Sequence, residues 1–178
     1  MNASQKKAIL RKHDGSWLSG YLPAQGFVRE NGIECLDLSA RQQFISLSQL
    51  KWVCFVRDFS SGAPTNPEKL ERLTFAGRPR IAGLWVRLTL ADQSLLEGVA
   101  ANNRSLLDPD GLFLTPPDIR ANAQRLFLPR SSIAELAILA VIGAKAGIVP
   151  AAGAAPRKPP SAESQGDLFP AAGTIKTL

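Results

Sequence analysis

Histidine occurs once in the chain, at position 13. A nucleophile–base pair would need the His13 imidazole beside a serine or cysteine, and no spacing in the sequence sets that up. Followed by Asp14 and Gly15, it reads as a solvated turn residue. Cys35 and Cys54 each stand inside an apolar stretch. Without a second histidine or a cysteine pair at ligand spacing, no zinc site is expected. Two cysteines also make no disulfide framework, and the plain reading is a pair of buried free thiols in a reducing cytoplasm. Asp108, Asp110 and Asp118 sit in a loop that contains proline and glycine. They could form an acid–base or metal pair, but closing turns is the commoner use of such residues. No Walker or Rossmann glycine pattern occurs. The sequence is therefore expected to be non-enzymatic, with no metal and no cofactor.

Binding chemistry has more candidates. Lys6, Lys7, Arg11 and Lys12 form the one basic cluster. It can contact nucleic-acid phosphates, or it can be a solvated strand edge on which lysines discourage aggregation. Trp17, Trp52 and Trp85 lie in alternating segments, where core packing is the ordinary role and base stacking the functional one. Near the C-terminus, Gln165-Gly166-Asp167-Leu168-Phe169 resembles the bacterial sliding-clamp-binding pentapeptide. Such a peptide works by setting Leu168 and Phe169 in an apolar groove while Gln165 hydrogen-bonds at the rim and Asp167 completes the motif.

The elements that would position these residues come twice. Ala8–Leu22 reads AILRKHDGSWLSGYL and Val86–Ala100 reads VRLTLADQSLLEGVA; aligning Asp14 with Asp92 also aligns Leu18 with Leu96 and Gly20 with Gly98. Both are alternating strands broken at a turn. The second copy lacks the glycine, so its turn is expected to differ. GIECLDL from Gly32 then matches GLFLTPP from Gly111, and FISLSQLKWVCFV from Phe44 matches FLPRSSIAELAIL from Phe127. Three blocks in the same order point to a duplication. Ser132-x-x-Glu135 resembles a helix capping box, but the equivalent LKWVCFV is aromatic and β-branched, so strand is expected in both. Between the copies NPEKLERL suits a short helix with Asn66 as N-cap and Pro67 in the first turn.

The expected organisation is a first β-rich repeat over 1–60, a linker with a short helix over 61–82, a second repeat over 83–142, and a tail over 143–178. The tail is rich in Ala, Pro and Gly and is expected to be disordered. Two units of this size would each be marginal alone and would gain by packing together. Of 178 residues, 45% are hydrophobic and 20% charged, which is ordinary globular composition. The net charge of +6 permits an anionic partner without demanding one. No apolar run is long enough to span a bilayer, and MNASQKKAILRK has no signal-peptide core, so the expected location is the cytoplasm.

The spacing of Val86, Leu88, Leu90, Asp92, Leu96 and Gly98, followed by the block FLPRSSI, resembles the Sm-like small β-barrel, whose known members include bacterial Hfq and the Lsm proteins. The resemblance covers about 60 residues per copy. It implies an all-β fold of two tandem small Sm-like or SH3-like barrels with a disordered C-terminal tail. It also implies binding of single-stranded RNA in rings, although two linked barrels cannot use a ring in the same way; the expected partner is single-stranded RNA or DNA. Hfq carries a Lys-His pair at the end of the strand before the last turn. Pro129-Arg130 and Ser46-Leu47 stand in the corresponding places, so Arg130 is the residue that could do a comparable job. The chain is also similar to a bacterial family of unknown function. The expected function is a nucleic-acid-associated adaptor that meets a sliding clamp through its tail. The alternative is a protein-interacting or self-assembling scaffold; homo-oligomerisation is left open.

Overall fold

A computed structural model describes residues 5–59, 65–118 and 122–143. These belong to one compact unit, Met1–Lys145. The expected tail, with Gln165, Asp167, Leu168 and Phe169, lies outside the described residues.

The first half runs β1 (Gln5–Lys12), β2 (Trp17–Pro23), β3 (Val28–Arg29), β4 (Gly32–Asp37), β5 (Gln42–Ser46), a 3-10 turn at Leu47–Gln49, and β6 (Leu50–Val56). The second runs β7 (Gly83–Leu90), β8 (Leu95–Ala100), a 3-10 turn at Arg104–Leu107, β9 (Gly111–Thr115), β10 (Ala123–Pro129), a 3-10 turn at Arg130–Ser132, and β11 (Ile133–Ile142). The protein is all-β; there is no α-helix among the described residues. The strands pair as one open, 11-stranded antiparallel sheet in the order β11-β7-β8-β9-β10-β6-β1-β2-β4-β3, with β5 on the other edge of β4.

The same pairing frame occurs in both halves. Leu10 faces Leu18 between β1 and β2, and Leu88 faces Leu96 between β7 and β8. Tyr21 faces Leu36, and Val99 faces Thr115. Phe44 lies opposite Glu34, and Phe127 opposite Phe113. One irregularity is shared: β6 slips by one residue on β1 between its pairs at Leu50 and Trp52, as β11 does on β7 between Ile133 and Glu135; β11 slips once more, between Ile138 and Ala140. Gly20 and Gly98 sit where the neighbouring strand, β4 or β9, comes too close for a Cβ. Leu96 is fully buried at its site, whereas Leu18 is half-buried at the matching one.

Three local expectations meet different outcomes. The turn after β7 has the geometry of the turn after β1 despite lacking glycine. The Lys12 and Leu90 N–H groups donate to the Ser16 and Ser94 carbonyls, and Gly15 and Gln93 donate back to Lys12 and Leu90. Asp14 and Asp92 each accept from the N–H and hydroxyl of the serine two residues on. Gln93 simply adopts the left-handed conformation, with φ 65°, that Gly15 takes at 85°. The expected helix at 66–73 is instead a turn: the Asn66 carbonyl accepts from Lys69 N–H and its side chain from Leu70 N–H. Asn66 therefore has no helix to cap, and the Glu68 carboxylate is taken by Arg11 and the Trp52 indole. Ser132-x-x-Glu135 opens strand β11 and not a helix; the Ser132 hydroxyl donates to the Pro129 carbonyl within the 3-10 turn.

The halves are joined by β6 and β10, which pair antiparallel from Val53↔Phe127 to Val56↔Ala123. That joint makes β6 and β10 interior strands, as β1 already is between β2 and β6. Ala8, Leu10, Leu50 and Val53 face one core, with Leu22, Ile33 and Phe127, while Ile9, Trp52, Cys54 and Val56 face the other, with Leu88, Leu96, Leu114 and Leu126. Burial on both faces explains why Ala8-Ile9-Leu10 is apolar throughout, the pattern of a strand covered on both sides.

Candidate functional site

The β6–β10 joint carries an open cleft of about 300 Å³ lined by Lys6, Ala24, Phe55, Phe113, Gln124 and Arg125. Strand alternation puts it together. Arg125 on β10 is registered against Phe55 on β6, and Phe113 on β9 stands beside Phe127 on β10. The floor is an aromatic cluster: Phe27 makes edge contacts with Phe55, Phe113 and Phe127 at centroid distances of 5.6, 5.9 and 5.2 Å. Phe55 and Phe113 are half-buried and present ring area to the cleft. The Arg125 guanidinium lies 3.9 Å from the Phe113 ring centroid, a cation–π stack. Partial burial lowers the Arg125 pKa from its ordinary value, and guanidinium stays charged regardless. None of the six lining residues is acidic. A flat, electron-rich floor with cationic walls suits a planar or anionic ligand.

A second cleft, of about 370 Å³, includes Arg11, Lys12, His13, Lys51, Trp52, Glu68 and Asp92. Two of its cations are paired within it. Arg11 Nε and Nη2 donate to the buried Glu68 carboxylate at 3.0 and 2.5 Å, and the Trp52 indole N–H donates to the same group at 3.0 Å. A buried carboxylate held by a fork and an indole is a structural pin that fixes the linker against β1 and β6. Lys51 Nζ reaches Asp92 at 2.5 Å, and that contact, with the Ser94 hydroxyl, holds the Asp92 carboxyl down to about 2. A comparable pin holds the second half: burial pushes the Glu97 carboxyl up, but the Phe75 N–H, Arg87 and the Trp85 indole outweigh it and lower its pKa.

The basic residues singled out in the sequence are thus dispersed. Lys6 lines the aromatic cleft. Lys7 points to the opposite face, 3.5 Å from Asp58 and over the Phe59 ring. Arg11 is committed to Glu68, and Lys12 borders the second cleft. Arg130 holds the β8–β9 connection in place by donating to the carbonyls of Asp108, at 2.9 Å, and Leu106. Asp108 closes a turn onto the Asp110 N–H at 3.0 Å. Among the described residues no group of three or more His, Cys, Asp or Glu could hold a metal ion. Cys35 and Cys54 are free and buried, and burial raises both thiols, Cys35 to about 11. Of the tryptophans, Trp52 is core, Trp85 is pinned to Glu97, and Trp17 is exposed. Phe55, Phe113 and Arg125 were not among the sequence candidates. Each looks like a strand residue; only the register across the joint brings the three together.

A family of unknown function, DUF6982, matches residues 4–140, and the chain belongs to that family. The match spans both halves and ends within β11. No curated protein and no solved structure matches the chain. No helix among the described residues is long and apolar enough to cross a membrane.

Proposed function

We propose that the protein is a non-enzymatic adaptor that binds single-stranded nucleic acid in the cleft at the β6–β10 joint. It consists of two tandem copies of one small Sm-like barrel unit fused edge to edge. The matching registers of the two halves support the tandem reading, and the resemblance to Sm-like proteins supports the choice of ligand. The observation that carries the function is Arg125 stacked on Phe113 beside Phe55 and Lys6. Aromatic faces and guanidinium planes stack on any base, while Lys6 and Arg125 answer phosphate. The location is cytoplasmic in this reading, and the tail peptide Gln165–Phe169 tethers the adaptor to a sliding clamp. Arg130 stays a scaffold residue.

Fluorescence anisotropy with labelled oligo-dT and oligo-U tests it. Binding should appear at low salt and weaken steadily as salt rises, since phosphate contacts release counterions. Arg125→Ala should weaken it about tenfold, the value of one lost stack, with an unchanged melting midpoint. No binding at low salt, or equal binding by the Arg125→Ala variant, overturns the reading.

A further inference from the structure

The nucleic-acid reading makes no use of the second cleft. At about 370 Å³ it is the roomier of the two, and it draws on three parts of the chain: Lys12 and His13 at the end of β1, Thr65 and Asn66 in the linker, and Asp92 in the β7–β8 turn. Its charges fall into two groups. Arg11 and Lys51 are paired with Glu68 and Asp92, at 2.5 Å each. Glu68 is 1% exposed, with both oxygens taken by the Arg11 fork and the Trp52 indole, and Asp92 is held by Lys51 and Ser94. Lys12 is the cation left over. Among the described residues its ammonium has no ion-pair or hydrogen-bond partner, because the neighbouring Asp14 accepts from the N–H and hydroxyl of Ser16. Three cations against two carboxylates leave the cleft one positive charge in excess before His13 is counted.

The rim also holds more donors than the chain itself uses. The His13 ring is exposed. Thr65 contributes its carbonyl to Arg11 Nη2 at 3.3 Å, and Asn66 its side-chain oxygen to the Leu70 N–H at 3.1 Å. The Thr65 hydroxyl and the Asn66 amide N–H groups remain as donors. A positive rim rich in N–H and O–H groups suits an anion that accepts several hydrogen bonds. Phosphate does so better than carboxylate, with three acceptor oxygens and more than one negative charge. The other wall is apolar: Trp52 and Leu70 are each 8% exposed, and Leu73 is half-buried beside them.

We propose that this cleft binds a small phosphomonoester with an apolar body, its phosphate held by Lys12, His13 and the Thr65–Asn66 segment and its body set against Leu70 and Leu73. The proposal goes beyond the nucleic-acid reading and does not need it, since the two clefts share no residue. Such a ligand ties the end of β1 to the linker beside the β7–β8 turn. It binds the folded chain and not the unfolded one, so it stabilises the fold in proportion to its occupancy.

Phenyl phosphate, titrated into the full chain at fixed pH and ionic strength, tests it. His13 is the only histidine in the sequence, so its ring gives one set of carbon–proton NMR signals. Those signals should move saturably with phenyl phosphate, and the melting midpoint should rise. Phenylacetate, the same ring on a carboxylate, should bind roughly tenfold more weakly, the value of one charge-assisted hydrogen bond. Lys12→Ala should weaken phenyl phosphate by about the same factor, and Thr65→Val by less, with the melting midpoints of the ligand-free chains unchanged. Arg125→Ala, in the other cleft, should bind it as the parent does. Shifts that grow without saturating overturn the proposal, as does equal binding by Lys12→Ala or equal binding of phenylacetate. Loss of the His13 response in Arg125→Ala would place the ligand in the aromatic cleft and overturn it too. A failure of oligonucleotide binding leaves this site standing, so the two readings fail separately.

Discussion

Phe44 and Phe127 occupy the same place in the two halves, each with its ring over a glycine, Gly32 or Gly111, that leaves no room for a Cβ. Phe127 is packed among Phe27, Phe55 and Phe113 at the joint, and Phe44 faces outward. One side chain in one local setting is thus core in one half and surface in the other. The difference comes from the neighbour strand alone: β10 is covered by β6, and β5 by nothing among the described residues.

Val86, Leu88 and Leu90 alternate on β7 and are all buried, with Leu88 fully so. Leu88→Ala should cost roughly 2–5 kcal/mol, since the transfer energy of the lost atoms adds to the cavity they leave. Chemical denaturation with an unchanged slope and a lowered midpoint would report it. An unchanged midpoint would place this face in solvent.

Gln93 holds φ 65° in a turn whose twin uses glycine at 85°. Left-handed backbone costs an L-residue energy that glycine escapes, offset in part by glycine's greater freedom when unfolded. Gln93→Gly should therefore raise stability, by about 0.5 kcal/mol. A loss of stability would mean that the Gln93 side chain holds the turn by contacts that outweigh its strain.

Lys51 on β6 and Asp92 in the β7–β8 turn join the two halves at 2.5 Å. With the Asp92 carboxyl lowered from 3.8 to about 2 in the folded chain, the pair's stabilisation is fully present above pH ~4 and is lost as pH falls toward ~2. Asp92 is half-exposed, so Asp92→Asn should cost only about 0.2–1 kcal/mol near neutrality. The gap between variant and parent should close below pH 4 and shrink in high salt. A gap that persists at pH 2 would assign the effect to the turn's hydrogen bonds.

How much of this was legible depends on distance along the chain. Strands, turns and the twofold order of blocks are local, and Asp14/Asp92, Leu18/Leu96 and Gly20/Gly98 align by eye. The helix at 66–73 failed because Glu68 belongs to Arg11 and Trp52, contacts that no local pattern records. Glycine at position 15 hid the identity of the two turns, since glutamine at position 93 bears the same conformation under tertiary support. The aromatic cleft depended on the Phe55–Arg125 register across the joint, and strand order between halves is not written in either half's periodicity.

Gln165–Phe169 is the one pointed motif of the tail, and it yields the last prediction. If it docks on a sliding clamp, binding energy should sit in Leu168 and Phe169, because pocket-filling anchors dominate such interfaces. Pro170 next to them discourages continuation into a helix or central strand, which suits an extended peptide. A synthetic peptide covering 160–175 should bind a clamp, and Leu168→Ala with Phe169→Ala should abolish binding of the full chain while leaving its melting temperature unchanged. The competing arrangement has the two side chains packed onto the chain's own sheet. The double variant would then melt earlier, and the isolated peptide would show no binding to the clamp even at high micromolar concentration.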